Sequence, residues 1–412
     1  LSWAFAHTPV GTSSRTALID EGRAVPCEAF GESALVSVMK KRMLYISVYD
    51  PHVPYTGAGT RGGEFVTNLA DRFSIDLIYM EGAGHPGNPV LEDKFKWRVR
   101  GVDREIRILF SPRGYFVFSK EISREAEALL ARREYHIVLT DYGLSALYGI
   151  RIKRRHHIPF VYCSHNVEFR QYLGKAKKDP RRYPFVPYVY YVEKKGVKKC
   201  DLLVPISEED AEYYSRWVSR DKMWPVPQCF NEKVFNPHYE PPQNDTKIVL
   251  FYGNYNISTN RDAVYAARDR VVDKVVSRVP NVKFQFIGAN PPSDISHPNM
   301  EFLGFVEHLE DYLKNCDVMI SPILMGWGMP TKIIESLACG KPIVATEAAA
   351  RAVPKKYKTL RIVDIDHFDD AIVAALQENK PVDDCDFELL QQEYTWAGAL
   401  EKLADRIEKI IN

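Results

Sequence analysis

The sequence predicts an α/β protein of two facing domains, each a doubly wound, mostly parallel sheet, with a cleft between them. Three observations predict it. Short apolar runs alternate with amphipathic segments along most of the chain, as in successive right-handed βαβ units. The runs are β-branched or aromatic, four to seven residues long and apolar on both faces, which is how strands covered by helices on both sides read. The alternation is interrupted once, at 236–247, where NPHYEPPQNDTK holds three prolines and reads as a linker.

In chain order the first strand series is 43–49, 75–79, 136–140, 159–163 and 202–206, and the second is 248–252, 282–288, 318–321 and 342–345. Amphipathic stretches at 63–73, 121–133, 207–217, 261–278, 307–315, 331–339 and 367–377 supply helices between them. The last segment, TWAGALEKLADRIEKIIN, places Trp396, Leu400, Leu403, Ile407 and Ile410 near one helix face. The expected division is a first Rossmann-like domain at 39–240, a second at 241–390, and a terminal helix at 391–412 that returns to the first. Residues 1–38 show neither helical nor alternating period, and at Met39 the text changes to MKKRMLYISVYD. The folded part is therefore expected to start near Met39 or Met43. The preceding residues would be a disordered extension or an over-long reading frame, with a genuine N-terminal arm as the alternative.

Composition bounds the function. In 412 residues, 45% are hydrophobic and 26% charged, which excludes whole-chain disorder. No run of about 18 apolar residues suggests a membrane-spanning helix. Seven cysteines, an odd number with no CxxC pair, fit a reducing, cytoplasmic setting better than a disulfide framework or a zinc ribbon. No His/Cys/Asp cluster has metal-ligand spacing, so no metal is expected. The net charge of +1 argues against a nucleic-acid coat, but it hides an asymmetry. Residues 151–200 carry 14 Lys/Arg against 3 Asp/Glu, while 361–412 carry 5 against 13. In RQYLGKAKKDPRRYPFVPYVYYVEKKGVKKC the cations interleave with Tyr183, Phe185, Tyr188, Tyr190 and Tyr191. Such a face suits peripheral contact with an anionic bilayer on its inner side. The bland reading is a solvated helix face with its aromatics in the core. No nucleic-acid module accompanies the block, and no nucleic-acid partner is expected.

Two segments carry ligand chemistry. After the first strand, PYTGAGTRGGEFVTNLA places glycines at 57, 59, 62 and 63 ahead of a helix, where backbone N–H groups can approach an anion. The spacing is not the dinucleotide GxGxxG, which speaks against a nicotinamide dehydrogenase. In the second half, SPILMGWGMPTKIIESLACGKPIVAT ends a strand at Ser321-Pro322, frames a loop with Gly326 and Gly328, and opens a helix at Pro330. Thr331 and Lys332 lie at the helix start. Glu335 lies one turn on, where a carboxylate can accept two hydrogen bonds from a vicinal diol such as a ribose. A salt-bridged helix face is the plain alternative. In the first half, Ser164-His165-Asn166-Val167-Glu168 follows a strand, and Asp141 ends the strand before it. Ligands of open α/β sheets bind outside such carboxyl ends, although a lone His there can also be a structural hydrogen-bonder.

The pattern GxGxxxKxxExxAxGxPxVAT resembles the signature of the group 1 glycosyltransferases (glycosyltransferase family 4), which have the two-domain GT-B architecture. Other stretches agree in order: GGEFVTNLA, FVYCSHNVE, CDLLVPISEEDAEYY, VPQCFNEKVFNP, FYGNYNISTNRDAV, FQFIGANPP and FLGFVEHLEDYLKNCDVMISP. The resemblance spans roughly 43–411. It implies transfer of a sugar from a nucleoside-diphosphate donor to a glycan, lipid-linked or other acceptor, generally with retention of anomeric configuration. It implies no cofactor and no metal, the nucleotide sugar being a co-substrate. By the resemblance, Glu335 binds the ribose hydroxyls, and Gly328, Met329, Pro330, Thr331 and Lys332 surround the transferred sugar and diphosphate. Gly62 and Gly63 close on the diphosphate, and His165 sits by the donor sugar as the catalytic candidate.

The sequence also departs from the pattern. Trp327 stands where the family often has a second Glu. Asn254, not Arg, follows Gly253, and Thr259 or Asn260 stands where a phosphate-gripping Lys is usual, so Arg261 or Lys332 is expected to compensate. These departures keep two rivals open: a non-catalytic sugar-nucleotide-binding relative, and a nucleotide-sugar epimerase of the same layout.

Overall fold

The computed structural model describes residues 40–48, 50–51, 57–79, 119–237, 246–325, 331–351, 353–378 and 384–412, and Lys40–Asn412 form one compact unit. Residues 1–38, most of the Pro-rich linker, and Gly328, Met329 and Pro330 lie outside the described residues.

The first sheet holds β1 (Arg42–Ser47), β2 (Ser74–Tyr79), β3 (Ile137–Asp141), β4 (Phe160–Cys163) and β5 (Leu202–Val204). All are parallel, in the order β2-β1-β3-β4-β5. The second holds β6 (Lys247–Tyr252), β7 (Val282–Ile287), β8 (Met300–Gly304), β9 (Val318–Ser321), β10 (Ile343–Ala345) and β11 (Leu360–Ile362), all parallel in the order β11-β10-β9-β6-β7-β8. The nine strands expected from sequence are all present. The two that were not expected, β8 and β11, are edge strands whose residues are mostly half-buried, so they lack the two-sided apolar signal.

Helices flank both sheets. In the first domain they are α1 (Gly57–Leu69), α2 (Lys120–Leu130), α3 (Ala146–His156), α4 (Glu168–Lys178), α5 (Val186–Lys199) and α6 (Glu208–Tyr214). In the second they are α7 (Ser258–Ala267), a π turn at Arg268–Val272 leading into α8 (Asp273–Arg278), then α9 (Leu309–Asn315), α10 (Thr331–Ala338), α11 (Phe368–Glu378) and α12 (Asp384–Tyr394). The last helix is α13 (Trp396–Ile411). Polar caps fix several starts: Ser119 accepts from the backbone N–H of Glu121 and Ile122, and Ser207 from that of Asp210. Gly340, at φ +66°, follows the end of α10, where a left-handed residue stops a helix.

Helix α13 packs on the first sheet. Trp396, Leu400, Leu403 and Ile407 are buried with Phe65, Val66 and Leu69 of α1, each aliphatic side chain contributing about 1.5–3 kcal/mol. The side chains change core at two adjacent crossings. Cys229 belongs to the first core and Phe230 to the second, ahead of the Pro-rich stretch. Tyr394 belongs to the second and Trp396 to the first. The Phe230 N–H donates to the Tyr394 carbonyl at 2.9 Å, so the two crossings run side by side. Arg61 of α1, fully buried, donates to the carbonyls of Val226 and Pro227 at 2.9 and 3.0 Å and lies 4.6 Å from the Phe65 ring centre, which ties α1 to the outgoing crossing. Cys163, Cys200, Cys229, Cys316 and Cys339 are free and buried.

One pinning device occurs in both sheets. Asp201, just before β5, accepts from the Phe160 N–H at 2.9 Å and from Lys153 at 2.6 Å. Asp317, just before β9, accepts from the Ile248 N–H at 2.7 Å and from Lys247 at 3.0 Å.

Candidate active site

In parallel sheets the ligand crevice opens where strand order reverses, because consecutive crossovers there leave in opposite directions. The reversals fall between β1 and β3 in the first sheet and between β6 and β9 in the second. A cleft of about 1980 Å³ is lined by residues following these strands in both domains, with His165, Asn254, Arg261, Thr331, Lys332 and Glu335 all on its wall.

The second-domain side is built on β6 and α10. Glu335 Oε2 accepts from the Tyr252 hydroxyl at 2.6 Å, which orients the carboxylate. Burial raises its pKa, while Tyr252 and Lys332 act against the rise. Lys332 reaches under the loop after β6. Its Nζ donates to Asn260 Oδ1 at 2.7 Å and lies 4.9 Å from the Phe251 ring centre, and Asn260 Nδ2 donates to the Asn254 carbonyl at 2.8 Å. A Cβ at Gly253 would come within 3.0 Å of Lys332 Nζ, so the ammonium sits directly behind the Gly253–Asn254 turn. Burial pulls its pKa down to about 8, against the opposing pull of Glu335. Gly288 holds this turn from the other side: at φ +145° it lies so close that a Cβ would overlap the Gly253 carbonyl. Arg261, near the start of α7, is exposed on the cleft wall. A cation behind one turn and a second on the rim can balance a diphosphate, in place of the Arg and Lys that the sequence lacks.

The first-domain side is built on the ends of β3 and β4. His165 Nε2 lies 2.7 Å from Asp141 Oδ1, and both residues are buried. This contact fixes the ring's orientation at the end of β4. The His165 ring meets Tyr142 edge-on at 5.0 Å, and Tyr142 holds a left-handed φ of +71°. Helix α1 begins at Gly57, so Gly62 and Gly63 lie inside it and not ahead of it. Neither lines the cleft; Thr60 and Glu64 are the α1 residues that do. Gly62 lets α1 approach β3, since a Cβ there would stand 3.3 Å from Asp141 Oδ2.

Beyond His165, the start of α4 lacks a local side-chain cap. Glu193 of α5 supplies one, accepting from the N–H of Glu168 at 2.6 Å and of Phe169 at 3.1 Å, and from the Tyr214 hydroxyl at 2.9 Å. Glu168 is 4% exposed, lines the cleft, and has Oε1 buried without a partner. Burial, then repulsion from Glu193, pushes its pKa up to about 8.

The basic block divides in two. Lys175, Lys177, Lys178 and Arg182 line the cleft. Arg181 is 87% exposed outside that lining, and Tyr183, Tyr188 and Tyr191 are 46%, 42% and 57% exposed. Phe185 and Tyr190 are half-buried, Tyr190 against Phe169 and Trp217 at 5.0 and 5.4 Å.

Sequence reasoning missed Tyr252, Glu193, Phe305 and the pair Arg351–Glu209. Tyr252 ends a strand at the reversal point, a position that could have drawn attention. Arg351 Nε donates to Glu209 Oε2 at 3.0 Å across the cleft, joining residues 142 apart in sequence, for which no local signal exists. Among the described residues no group of three or more His, Cys, Asp or Glu is placed to hold a metal, and no helix is long and apolar enough to cross a membrane.

Two family profiles match the chain: Glycosyltransferase Family 4 over residues 55–233 and Glycosyl transferases group 1 over 246–378. No curated protein matches it. Among solved structures, Anabaena HepE in complex with UDP is similar with a TM-score of 0.64 at 12% identity, covering 89% of this chain and 100% of that one. A glycosyltransferase from Rickettsia africae gives 0.64 at 13%, covering 90% and 99%. The apo form of the lipopolysaccharide outer core galactosyltransferase WaaB gives 0.58 at 13%, again covering 90% and 99%. At such identities the likeness is one of fold: two facing Rossmann-like domains in the GT-B arrangement.

Proposed function

The chain belongs to the group 1 glycosyltransferases, and on that premise we propose that it moves a sugar, with retention of anomeric configuration, from a nucleoside-diphosphate donor to a glycan or lipid-linked acceptor. The observation that carries the reading is the pairing of two prepared walls across one cleft. Glu335, set by Tyr252, and Lys332, set by Asn260, stand at one reversal point, and His165, set by Asp141, stands at the other. In this reading Glu335 takes the ribose hydroxyls. Thr331 and the Gly253–Asn254 turn face the diphosphate, with Lys332 and Arg261 balancing its charge as the glycosidic bond breaks. His165 sits by the sugar that is transferred. Anabaena HepE was solved with UDP and with UDP-glucose, which makes a uridine diphosphate sugar the first donor to test.

Calorimetry with UDP, GDP, ADP and dTDP, followed by NMR of the products from the donor sugar that binds, tests this. Expected are binding of one nucleotide and appearance of the free nucleoside diphosphate with an α-linked product from an α-linked donor. Binding without turnover would favour a non-catalytic relative, and an epimerised free sugar nucleotide would favour an epimerase.

We propose further that the protein works at the cytoplasmic face of a membrane, bound peripherally through the outward part of the basic block. Three half-exposed tyrosines among cations suit the headgroup layer, where each Lys or Arg near an anionic surface contributes about 1 kcal/mol. Sedimentation with anionic vesicles that fails at low salt would remove this reading.

A further inference from the structure

The cleft-facing part of the basic block has a different role from its outward part. We propose that the α4 wall of the cleft is an anion subsite for the acceptor, in which Lys175, Lys177, Lys178 and Arg182 take a phosphate or carboxylate borne by the acceptor molecule. The proposal rests on the transferase reading above and deepens it by naming the acceptor's chemistry.

Position is the first argument. His165 lies just before α4, and the helix then runs along the cleft. At about 1.5 Å per residue, Lys175 lies about 10 Å and Lys178 about 15 Å beyond Glu168. A hydroxyl placed at His165 therefore has the cationic end of α4 farther along the same cleft wall. The donor's own diphosphate is accounted for by the Gly253–Asn254 turn and Lys332 in the other domain.

Charge is the second argument. The acidic side chains nearest this wall are already occupied or uncharged. Asp179 accepts from Arg181 at 2.8 Å and Arg182 at 3.2 Å, which holds its carboxyl below the ordinary range. Glu209 is paired with Arg351 across the cleft. Glu168 is buried, and its raised pKa keeps it largely neutral at pH 7. Lys175 donates to Gln171, a neutral partner, at 3.0 Å. Lys177 and Lys178 are exposed on the cleft wall and pair with no carboxylate among the described residues. Of the four cations only Arg182 is paired with an acid, Asp179, so the lysines of this wall, which lie inside a cleft, are complementary to an anion that enters with the substrate.

The anion could be a lipid phosphate headgroup or a soluble acidic sugar, and the test separates them. With the donor site saturated by UDP, calorimetry compares glucose 1-phosphate with glucose. In parallel, sedimentation compares phosphatidylcholine vesicles with and without an isoprenoid phosphate. The charged probe is expected to bind about tenfold more tightly than its neutral counterpart, and the preference is expected to vanish in Lys177→Gln/Lys178→Gln. Preference in the soluble arm points to an acidic sugar, and preference only on vesicles to a lipid headgroup; either supports the subsite. No preference in both arms, or one that persists in the double variant, overturns it. UDP affinity is measured first on the same samples. If no nucleoside diphosphate binds the wild type, the transferase reading falls and the subsite with it; if UDP binds and charge makes no difference, only the subsite falls.

Discussion

Asp201 in the first domain and Asp317 in the second stand in the same place with the same neighbours. Each follows a buried cysteine and accepts from an N–H at the start of a neighbouring strand and from a lysine ammonium. Each cysteine in turn donates from Sγ to a carbonyl three residues back, at 3.2 Å for Cys200 and 3.3 Å for Cys316. The scaffolds thus repeat a device down to side-chain contacts. At the cleft the domains part. The second domain half-buries a cation, Lys332, and its pKa is pulled down; the first buries an acid, Glu168, and its pKa is pushed up. Strand alignment is a backbone problem common to any parallel sheet. Charge at the first turn of a cleft helix is not fixed by strand alignment, so two similar sheets can carry opposite groups there.

The sharpest division of labour concerns His165 and Glu335. If the first domain acts on the reacting sugar and the second holds the nucleotide, His165→Ala should lower turnover by about 10²-fold, because a donor or acceptor used mainly in the transition state is lost. Nucleotide affinity should stay within about twofold. Asp141→Asn should move turnover in the same direction, by disturbing the Nε2 contact that orients the ring. Equal losses in turnover and in UDP affinity would erase the distinction between the walls.

Glu335→Ala should give the complementary result. Hydrogen bonds to a charged acceptor contribute about 1.5–3 kcal/mol each, so UDP affinity should weaken at least about tenfold with the fold intact. Tyr252→Phe should weaken it less, since it removes only the group that orients the carboxylate. Calorimetry at one pH measures both, and an unchanged affinity in Glu335→Ala would take this residue out of the site.

How much of this was legible in the sequence follows from distance along the chain. Nine strands carry apolar runs that could be read directly, including β2 and β5 at the edges of the first sheet, whereas β8 and β11 are mostly half-buried. Thr331, Lys332 and Glu335 fall within five residues, so one helix spells out most of the second-domain wall. His165 and Asp141 could each be picked as strand-end residues, but their 2.7 Å contact is set by the register of β3 against β4. The family resemblance sets Gly62 at the diphosphate; the structure adds a packing contact that no local pattern announces, a Cβ there standing 3.3 Å from Asp141 Oδ2. The Glu193 cap of α4 bridges 25 residues, and Tyr252 to Glu335 bridges 83. Neither pairing leaves a local pattern. The basic block was legible as a charge excess, but its division into a cleft side and an outer side depends on the turn between α4 and α5.

A smaller effect tests the half-buried cation. Lys332 has a pKa lowered to about 8, so the free protein carries this charge at pH 7 and loses it as pH rises past 8. UDP affinity in the wild type should therefore decline between about pH 7 and 9. In Lys332→Met it should be weaker at pH 7 and nearly flat over the same interval. Parallel slopes for the two proteins would show that the ammonium behind the Gly253 turn does not act on the ligand.

The buried acid gives the smallest and opposite effect, on stability. Burial and Glu193 raise the folded-state pKa of Glu168 from the ordinary 4.5 to about 8. Between those values the folded state holds a proton that the unfolded state has released. Linkage then fixes the sign: the stabilisation is complete below about pH 4.5 and is lost as pH rises toward and through about 8. Glu168→Gln keeps the size and a neutral polar end but has no proton to lose. Its melting temperature should therefore exceed that of the wild type by a few degrees near pH 8 and converge with it near pH 5. Glu193→Gln should not show this gain, because the Glu193 carboxylate accepts from two N–H groups at the start of α4 and from Tyr214, and an amide would replace one acceptor by a donor. Thermal unfolding of the three proteins at the two pH values is the measurement. A Glu168→Gln curve that tracks the wild type at both would mean that Glu168 is ionised in the fold, and the contrast with Lys332 would then be one of position only.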